Sequence, residues 1–503
     1  MYKKQILCLT IFLTLATSVT MVHAKTKKVS QQKKSKQNKA LKKSFDDQQS
    51  NIEHLQTFPK KDKWVTIFIH GSFSLKPHLS LTNMMNMLND TLEESVYHRS
   101  TEINRRDPFY HKNQAMLGFG LQKIYIHAPN KNEAARILGY SFEQISQKAG
   151  NFPSDEYYAY GWSGLVSHKL RYVEAEHLYQ DLLELKETYR QRGINPKIRL
   201  VGYSHGGNLA LQLGAIFVTK SQEEKIYIDE LFFLGTPIQV ETDYLVNSPA
   251  FKRIYNIYSR TDSVQRLDFF SYKRFFSKQK FEKRRNFEVP AKITQYKIEV
   301  DQYSPKNKEV DANIPLPKNK KQRQKLFKLH RYAPGHFELW FMGWTLLTFR
   351  QDFPLNPLPI AAFLPLFTLD HDKHPELSHD LILEINTTEE TITFKDRNPR
   401  YKRNKPQLVR SFLSKKELSE IQEHAWKFEA PDYDLETYNA KTANAITIAK
   451  EERRSLKQLR KSIEKKYQSK EYRGLSKKEI LDQEEAVSIN VHREAGIPYV
   501  GHL

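Results

Sequence analysis

The chain has 503 residues, a formal charge of +22 and a hydrophobic fraction of 39%. That length allows one large core with additions, or two to three domains, and the low apolar fraction predicts long solvated segments around it. Its one cysteine, Cys8, lies near the start, which excludes an internal disulfide, a cysteine nucleophile and a thiolate metal site from the body of the chain. The positive charge favours acidic surfaces such as anionic lipid, envelope polymer or nucleic acid.

Residues 1–24 read as an export signal. Lys3 and Lys4 precede an apolar run over 6–16, and Val22-His23-Ala24 is a small-residue cleavage site. Lys25, Lys27 and Lys28 follow at once, and positive charge there hinders translocation. An uncleaved anchor over 6–22 is therefore the alternative. Residues 25–63 are rich in lysine, glutamine and serine and predict a solvated, disordered linker, whose lysines suit anionic headgroups.

The body begins with a buried strand over 64–70, which runs into His70-Gly71-Ser72-Phe73. A helix is expected within 80–106, with Met84, Met85, Met87 and Leu88 as a core face. Short strands are expected at 124–127 and 157–162, then a helix over 170–192 closed by Gly193. Strands at 198–201, 227–234 and 254–258 follow, with the last at 293–300. Strands alternating with helices predict an α/β fold with a doubly wound, mostly parallel sheet. In such sheets reactive groups gather at the carboxyl ends of strands, and Ser72, Trp162, Ser204, Thr236 and Asp262 each fall just past one.

The strand at 198–201 leads into Gly202-Tyr203-Ser204-His205-Gly206-Gly207, and a helix-compatible run leads out. A serine at the tip of such a turn takes a strained conformation that lifts its hydroxyl clear of the sheet. The residues two before and two after it must nearly lack side chains, as Gly202 and Gly206 do. A serine hydroxyl is a poor nucleophile until an imidazole takes its proton and a carboxylate orients that imidazole. Asp262 suits the carboxylate, on a short polar loop one strand beyond the strand that follows Ser204. His336, after Gly335 and before an apolar helical run over 337–349, suits the base. Asp243 and His330 remain the alternatives.

These residues carry a resemblance. Residues 64–350 resemble a serine hydrolase of the α/β-hydrolase superfamily, closest to lipases and esterases, through His70-Gly71, the elbow at 202–207, the loop at 260–264 and Gly335-His336. They stand in the family's order of serine, acid, histidine. The resemblance implies Ser204 as nucleophile, His336 as base and Asp262 as its orienter. It implies an oxyanion hole from the backbone N–H of His205 and that of Ser72 or Phe73, with no cofactor and no metal. Asp370, His371, Asp372, His374, His379 and Asp380 form a polar stretch whose spacing matches no tight metal-ligand pattern.

Within 264–332, expected as a lid-like insertion, phenylalanines interleave with lysines and arginines. An inward aromatic face with outward charges is expected there, with an interfacial membrane surface as the alternative. Prolines over 353–369 rule out one regular helix, and the stretch either lines an acyl pocket or packs over the core edge. The hydrolase domain is thus placed at 64–380, and a basic, helix-rich extension at 381–503. That extension opens with a hairpin at 381–385 and 391–394 and carries capping boxes at 414–417 and 476–479. The expected activity is an exported carboxylic ester hydrolase acting on lipid acyl esters. A catalytically silent protein binding an anionic membrane or envelope surface is the second reading, and nucleic-acid binding, resting on charge alone, the third.

Overall fold

Mostly apolar runs build the middle of one large sheet. The computed structural model describes residues 62–72, 95–112, 114–128, 134–150, 154–266, 277–301, 331–340, 353–397, 406–427 and 435–467. The stretch expected as an export signal, nearly all of that expected as a linker, the methionine-rich stretch, residues 302–330 and the expected second capping box lie outside them.

The strands are β1 (Asp62–Ile69), β2 (Gly120–Ile124), β3 (Glu156–Gly161), β4 (Asn195–Tyr203), β5 (Ile228–Leu234), β6 (Phe251–Tyr258), β7 (Ile293–Asp301), β8 (Arg331–Tyr332), β9 (Asp380–Asn386), β10 (Thr391–Asp396) and β11 (Gln407–Ser411). Their order across the sheet is β2-β3-β1-β4-β5-β6-β7-β9-β10-β11, with β8 paired to the end of β7. From β3 to β9 every neighbouring pair is parallel; β2, β8, β10 and β11 pair antiparallel. The chain is therefore α/β with a mostly parallel sheet, as the alternation of strands and helices predicts.

Both faces of the sheet are covered, which is why apolar residues dominate its central strands. Ile67, Leu200, Leu231 and Phe233 pack into one core with helices α3 (His168–Gln191) and α4 (His205–Phe217). Phe68, Val201, Phe232 and Leu234 pack into the other, with helix α2 (Ala134–Ala149) and the proline-rich segment at 353–369. That segment breaks into turns and single helical turns whose Leu355, Ile360, Phe363 and Phe367 are buried, so it packs on the core.

Four expectations need correction. The strand placed at 124–127 lies at 120–124, because its pairing with β3 runs out at Ile124↔Tyr157, near the first residue of β3. The strand at 293–300 is not the last, and residue 381 is no boundary within the sheet. β9 pairs in parallel with β7 over Gln295–Val300, and the expected hairpin of β9 and β10 extends the same sheet. Beyond it, α5 (Lys415–Trp426) starts with the predicted capping box at Ser414 and Glu417. Helix α6 (Leu435–Tyr467) lies against α1 (Val96–Arg106), with Arg99 bonded to Glu452 at 2.6 Å and the Tyr110 and Tyr438 rings 5.5 Å apart. Finally, the apolar run from 337 makes only one 3₁₀ turn, Phe337–Leu339, and the backbone turns extended at Trp340. Among the described residues no helix is long and apolar enough to cross a membrane.

One buried ion pair ties β4 to β5. Arg199 Nε donates to Glu230 Oε2 at 2.7 Å, and both side chains are almost wholly buried. The guanidinium also lies 4.4 Å from the Trp64 ring centroid and donates to Thr66 Oγ1. Removing one partner strands a charge in the core, so Glu230→Ala is expected to lower stability by about 3 kcal/mol, whereas Arg199→Met with Glu230→Leu is expected to lose far less. Urea unfolding of the two variants, at unchanged denaturant sensitivity, checks this.

Candidate active site

Five parallel neighbours, β3, β1, β4, β5 and β6, end along one edge of the sheet. Trp162, Ser72, Ser204, Thr236 and Asp262 follow those ends, so the edge collects the residues that the sequence marks.

Ser204 stands between β4 and α4 with φ 50° and ψ −129°. Left-handed backbone of this kind is strained for any residue with a side chain. Its N–H donates to the Leu234 carbonyl at 2.9 Å, and its carbonyl accepts from the Gly207 N–H at 3.0 Å. The turn works only because α4 passes close over the end of β1: a Cβ on Gly206 would lie 2.2 Å from the His70 carbonyl oxygen. The His70-Gly71-Ser72 loop touches the serine itself, since a Cβ on Gly71 would sit 2.8 Å from that of Ser204. Ser72 Oγ is buried with no hydrogen-bond partner among the described residues. Phe73, the other expected oxyanion donor, lies outside the described residues.

Asp262 and His336 meet. His336 Nδ1 donates to Asp262 Oδ2 at 2.8 Å, and the Gln265 N–H donates to Oδ1 at the same distance. Asp262 is fully buried and His336 nearly so. Their loops are zipped together by Thr261, whose hydroxyl bonds the carbonyls of Ala333 and Pro334 at 2.7 and 2.9 Å. The loop that carries His336 arrives from β8, which pairs with the last residues of β7. Asp262 and His336 thus join directly, and Ser204 is tied to them through its neighbour Tyr203. The Tyr203 hydroxyl donates to the His336 carbonyl at 3.0 Å, and its ring centroid lies 4.9 Å from the imidazole. Burial, with Asp262 and Glu338 nearby, holds the Tyr203 phenol well above its ordinary range, so it remains a donor.

Two other histidines flank the serine. The His70 Nδ1 faces the Gly71 carbonyl at 2.8 Å, and Nε2 faces the Trp162 N–H at 3.3 Å. A carbonyl only accepts, so the proton is on Nδ1. Burial and the nearby Arg105 hold this imidazole well below its ordinary range, so it stays neutral. His205 Nδ1 meets the guanidinium of Arg171, a buried residue in the first turn of α3. A guanidinium only donates, so the His205 proton is on Nε2. Neither the Arg171 contact nor that of Tyr203 is visible in sequence spacing; both are between elements far apart in the chain.

The alternatives are engaged elsewhere or out of view. Asp243 is gripped by both terminal nitrogens of Arg284, one at 2.6 Å. His330 lies outside the described residues. In the polar stretch, the His371 and His379 rings stack flat with centroids 4.0 Å apart, and His371 Nε2 meets Thr294 Oγ1 at 3.0 Å. Among the described residues no cluster of three or more His, Cys, Asp or Glu is arranged to hold a metal ion. Of the insertion, the described part buries Phe281 and Phe287 and leaves Lys283 exposed, which is the inward-ring, outward-charge arrangement.

Gly235 ends β5 with φ +57°, and a Cβ there would lie 2.8 Å from Asp262 Oδ2 and 3.2 Å from His336 Nδ1. Gly235→Ala is therefore expected to destabilise by about 1–2 kcal/mol from the backbone alone and to push the carboxylate off the imidazole; thermal unfolding and the downfield His336 proton resonance read the two effects. Burial, then the His379 and His374 rings, push His371 down to about 4. Between pH about 6.5 and about 4 the unfolded chain binds a proton that the folded chain refuses, so this contribution is full above that window and lost as pH falls through it. His371→Gln is expected to flatten the decline of melting temperature across those pH values. The chain matches no protein-family model and no curated protein, and its function is read from the geometry of these side chains.

Proposed function

We propose that the chain is a serine hydrolase of the α/β-hydrolase type that cleaves carboxylic esters, with lipid acyl esters as the substrate class. The observation that carries the reading is the buried His336–Asp262 hydrogen bond, on the same sheet edge as a serine held at φ 50° on a strand-to-helix turn. Strain of about 1–3 kcal/mol persists only where the surroundings over-determine it, and it is concentrated at functional sites.

In this reading Ser204 Oγ attacks the ester carbonyl while His336 Nε2 takes its proton. Asp262 keeps the imidazole in the tautomer with Nδ1–H and stabilises the imidazolium that forms. An Oγ–Nε2 hydrogen bond forms as substrate binds. The carbonyl oxygen, now anionic, is held by the N–H groups of His205 and of Ser72 or Phe73, each donor worth about 3 kcal/mol in sites of this kind. Collapse breaks the ester C–O bond, and His336 returns its proton to the leaving alcohol. Water, activated by the same imidazole, then attacks the acyl-serine and releases the acid.

The lipid preference rests on the resemblance, and on a charge of +22 that suits an anionic membrane or envelope as the place of action. Export through the leader at 1–24 belongs to the same reading. Ser204→Ala is expected to abolish turnover of p-nitrophenyl esters and labelling by a fluorophosphonate probe, while leaving the melting temperature nearly unchanged. Undiminished turnover in the variant rejects the nucleophile. A wild-type chain that takes no label is the silent, surface-binding protein instead. A panel of acyl chain lengths reads the substrate preference.

A further inference from the structure

The structure assigns Tyr203 a positioning role: its hydroxyl and its ring together hold His336 in register with Ser204. This rests on the serine-hydrolase reading above and adds a residue that the Ser-His-Asp set does not contain.

Beyond the Thr261 bonds to Ala333 and Pro334, the base has few anchors nearby in the chain. It stands after a loop anchored by the two residues of β8, and the 3₁₀ turn that follows it is only three residues long. Its one side-chain anchor of the expected kind is Asp262, at Nδ1. A ring fixed at one nitrogen can still swing about that bond, and such a swing moves Nε2 away from the serine.

Tyr203 removes that freedom from a different direction. It is the last residue of β4, adjoining Ser204, and is 2% exposed. Its hydroxyl pins the His336 backbone at the carbonyl, which also accepts the Leu339 N–H at 3.4 Å. Its ring lies beside the imidazole, inclined by 35°. Behind it, the Trp340 ring stacks at 5.3 Å and 5°, and Trp340 in turn meets Phe68 of β1 edge-on at 6.2 Å. The rings of Phe68, Trp340, Tyr203 and His336 thus form one brace, fastened to two central strands. The strand that carries the nucleophile also carries the support for the base, so the two cannot drift apart independently. When the imidazole becomes a cation, the π system at 4.9 Å faces it favourably.

Two variants of the full-length chain separate the hydroxyl from the ring. Tyr203→Phe keeps the ring and loses one hydrogen bond, and kcat for a p-nitrophenyl ester is expected to fall roughly fivefold, with KM within about twofold of wild type. Tyr203→Leu loses both contacts, and kcat is expected to fall about 100-fold, as misplacement by an ångström does. The rate of fluorophosphonate labelling should fall in parallel. The downfield proton of the His336–Asp262 bond should persist in the Phe variant and broaden in the Leu variant. Wild-type kcat in both variants, or a loss confined to KM or to the unfolded fraction, overturns the role. If the Leu variant does not fold, the Phe variant decides alone, and an unchanged kcat overturns it. A wild-type chain that neither turns over ester nor takes label removes the hydrolase reading and this role with it. A labelled wild type with unaffected variants removes only the role.

Discussion

Where α4 crosses the end of β1, backbone meets backbone with no room for a side chain. The space at Gly206, where a Cβ would stand 2.2 Å from the His70 carbonyl, is what lets the helix start immediately after the strand. That closeness forces the intervening Ser204 into left-handed backbone, and the bond from its N–H to Leu234 keeps it there. Sheet packing maintains the strain. The apolar residues on both faces of β1, β4 and β5 fix the strands, and the strands fix the turn. A local loop could not hold such a conformation, because relaxing it would expose nothing apolar to water.

The other two groups reach the same edge by a different logic. Asp262 arrives after β6, and His336 after the excursion that separates β7 from β8. Closing a long loop adds little entropy beyond closing a short one, so the distance along the chain matters less than the quality of the closure. Closure here is made by hydrogen bonds to backbone: the Thr261 hydroxyl bonds two carbonyls of the opposite loop, and β8 pairs with β7. Long insertions at this edge are compatible with a fixed pair of side chains for that reason.

The parts legible in the sequence are those written in contiguous residues. The runs at 64–70 and 198–201 show parallel strands because both faces are buried and apolar residues dominate them; their polar members Thr66 and Arg199 are buried and bonded to each other. The glycine spacing around Ser204 shows the turn for the steric reason already given. β9 was legible as a strand but its place was not: Asp380–Asn386 alternates buried with half-buried residues, as an ordinary hairpin does. Its partner, β7, lies across an interval of almost eighty residues, and nothing local announces that pairing. The same holds for β8, where two residues suffice, and for Trp340, whose extended backbone ends what composition suggests is a helix. Tyr203 carries no signal of its own in the sequence, since its contacts to His336 and Trp340 are made by tertiary packing.

Hydrogen-bond accounting separates the three buried histidines around Ser204. A neutral imidazole has one acceptor nitrogen, and a general base needs that nitrogen available. His70 directs its acceptor, Nε2, at the Trp162 N–H, and burial near Arg105 keeps it neutral. His205 directs its acceptor, Nδ1, at the Arg171 guanidinium, with the Asn208 amide 3.4 Å away. Both acceptors face donors that they would have to abandon to take a proton. His336 differs because its partner is a carboxylate: Asp262 demands a donor at Nδ1, and the lone pair therefore falls on Nε2. The same partner that fixes the tautomer also gains from the charge that proton transfer creates, whereas a proton on His205 would face the cation of Arg171. In the proposed hydrolase, the chemistry of the neighbours, rather than closeness to the serine, makes His336 the base.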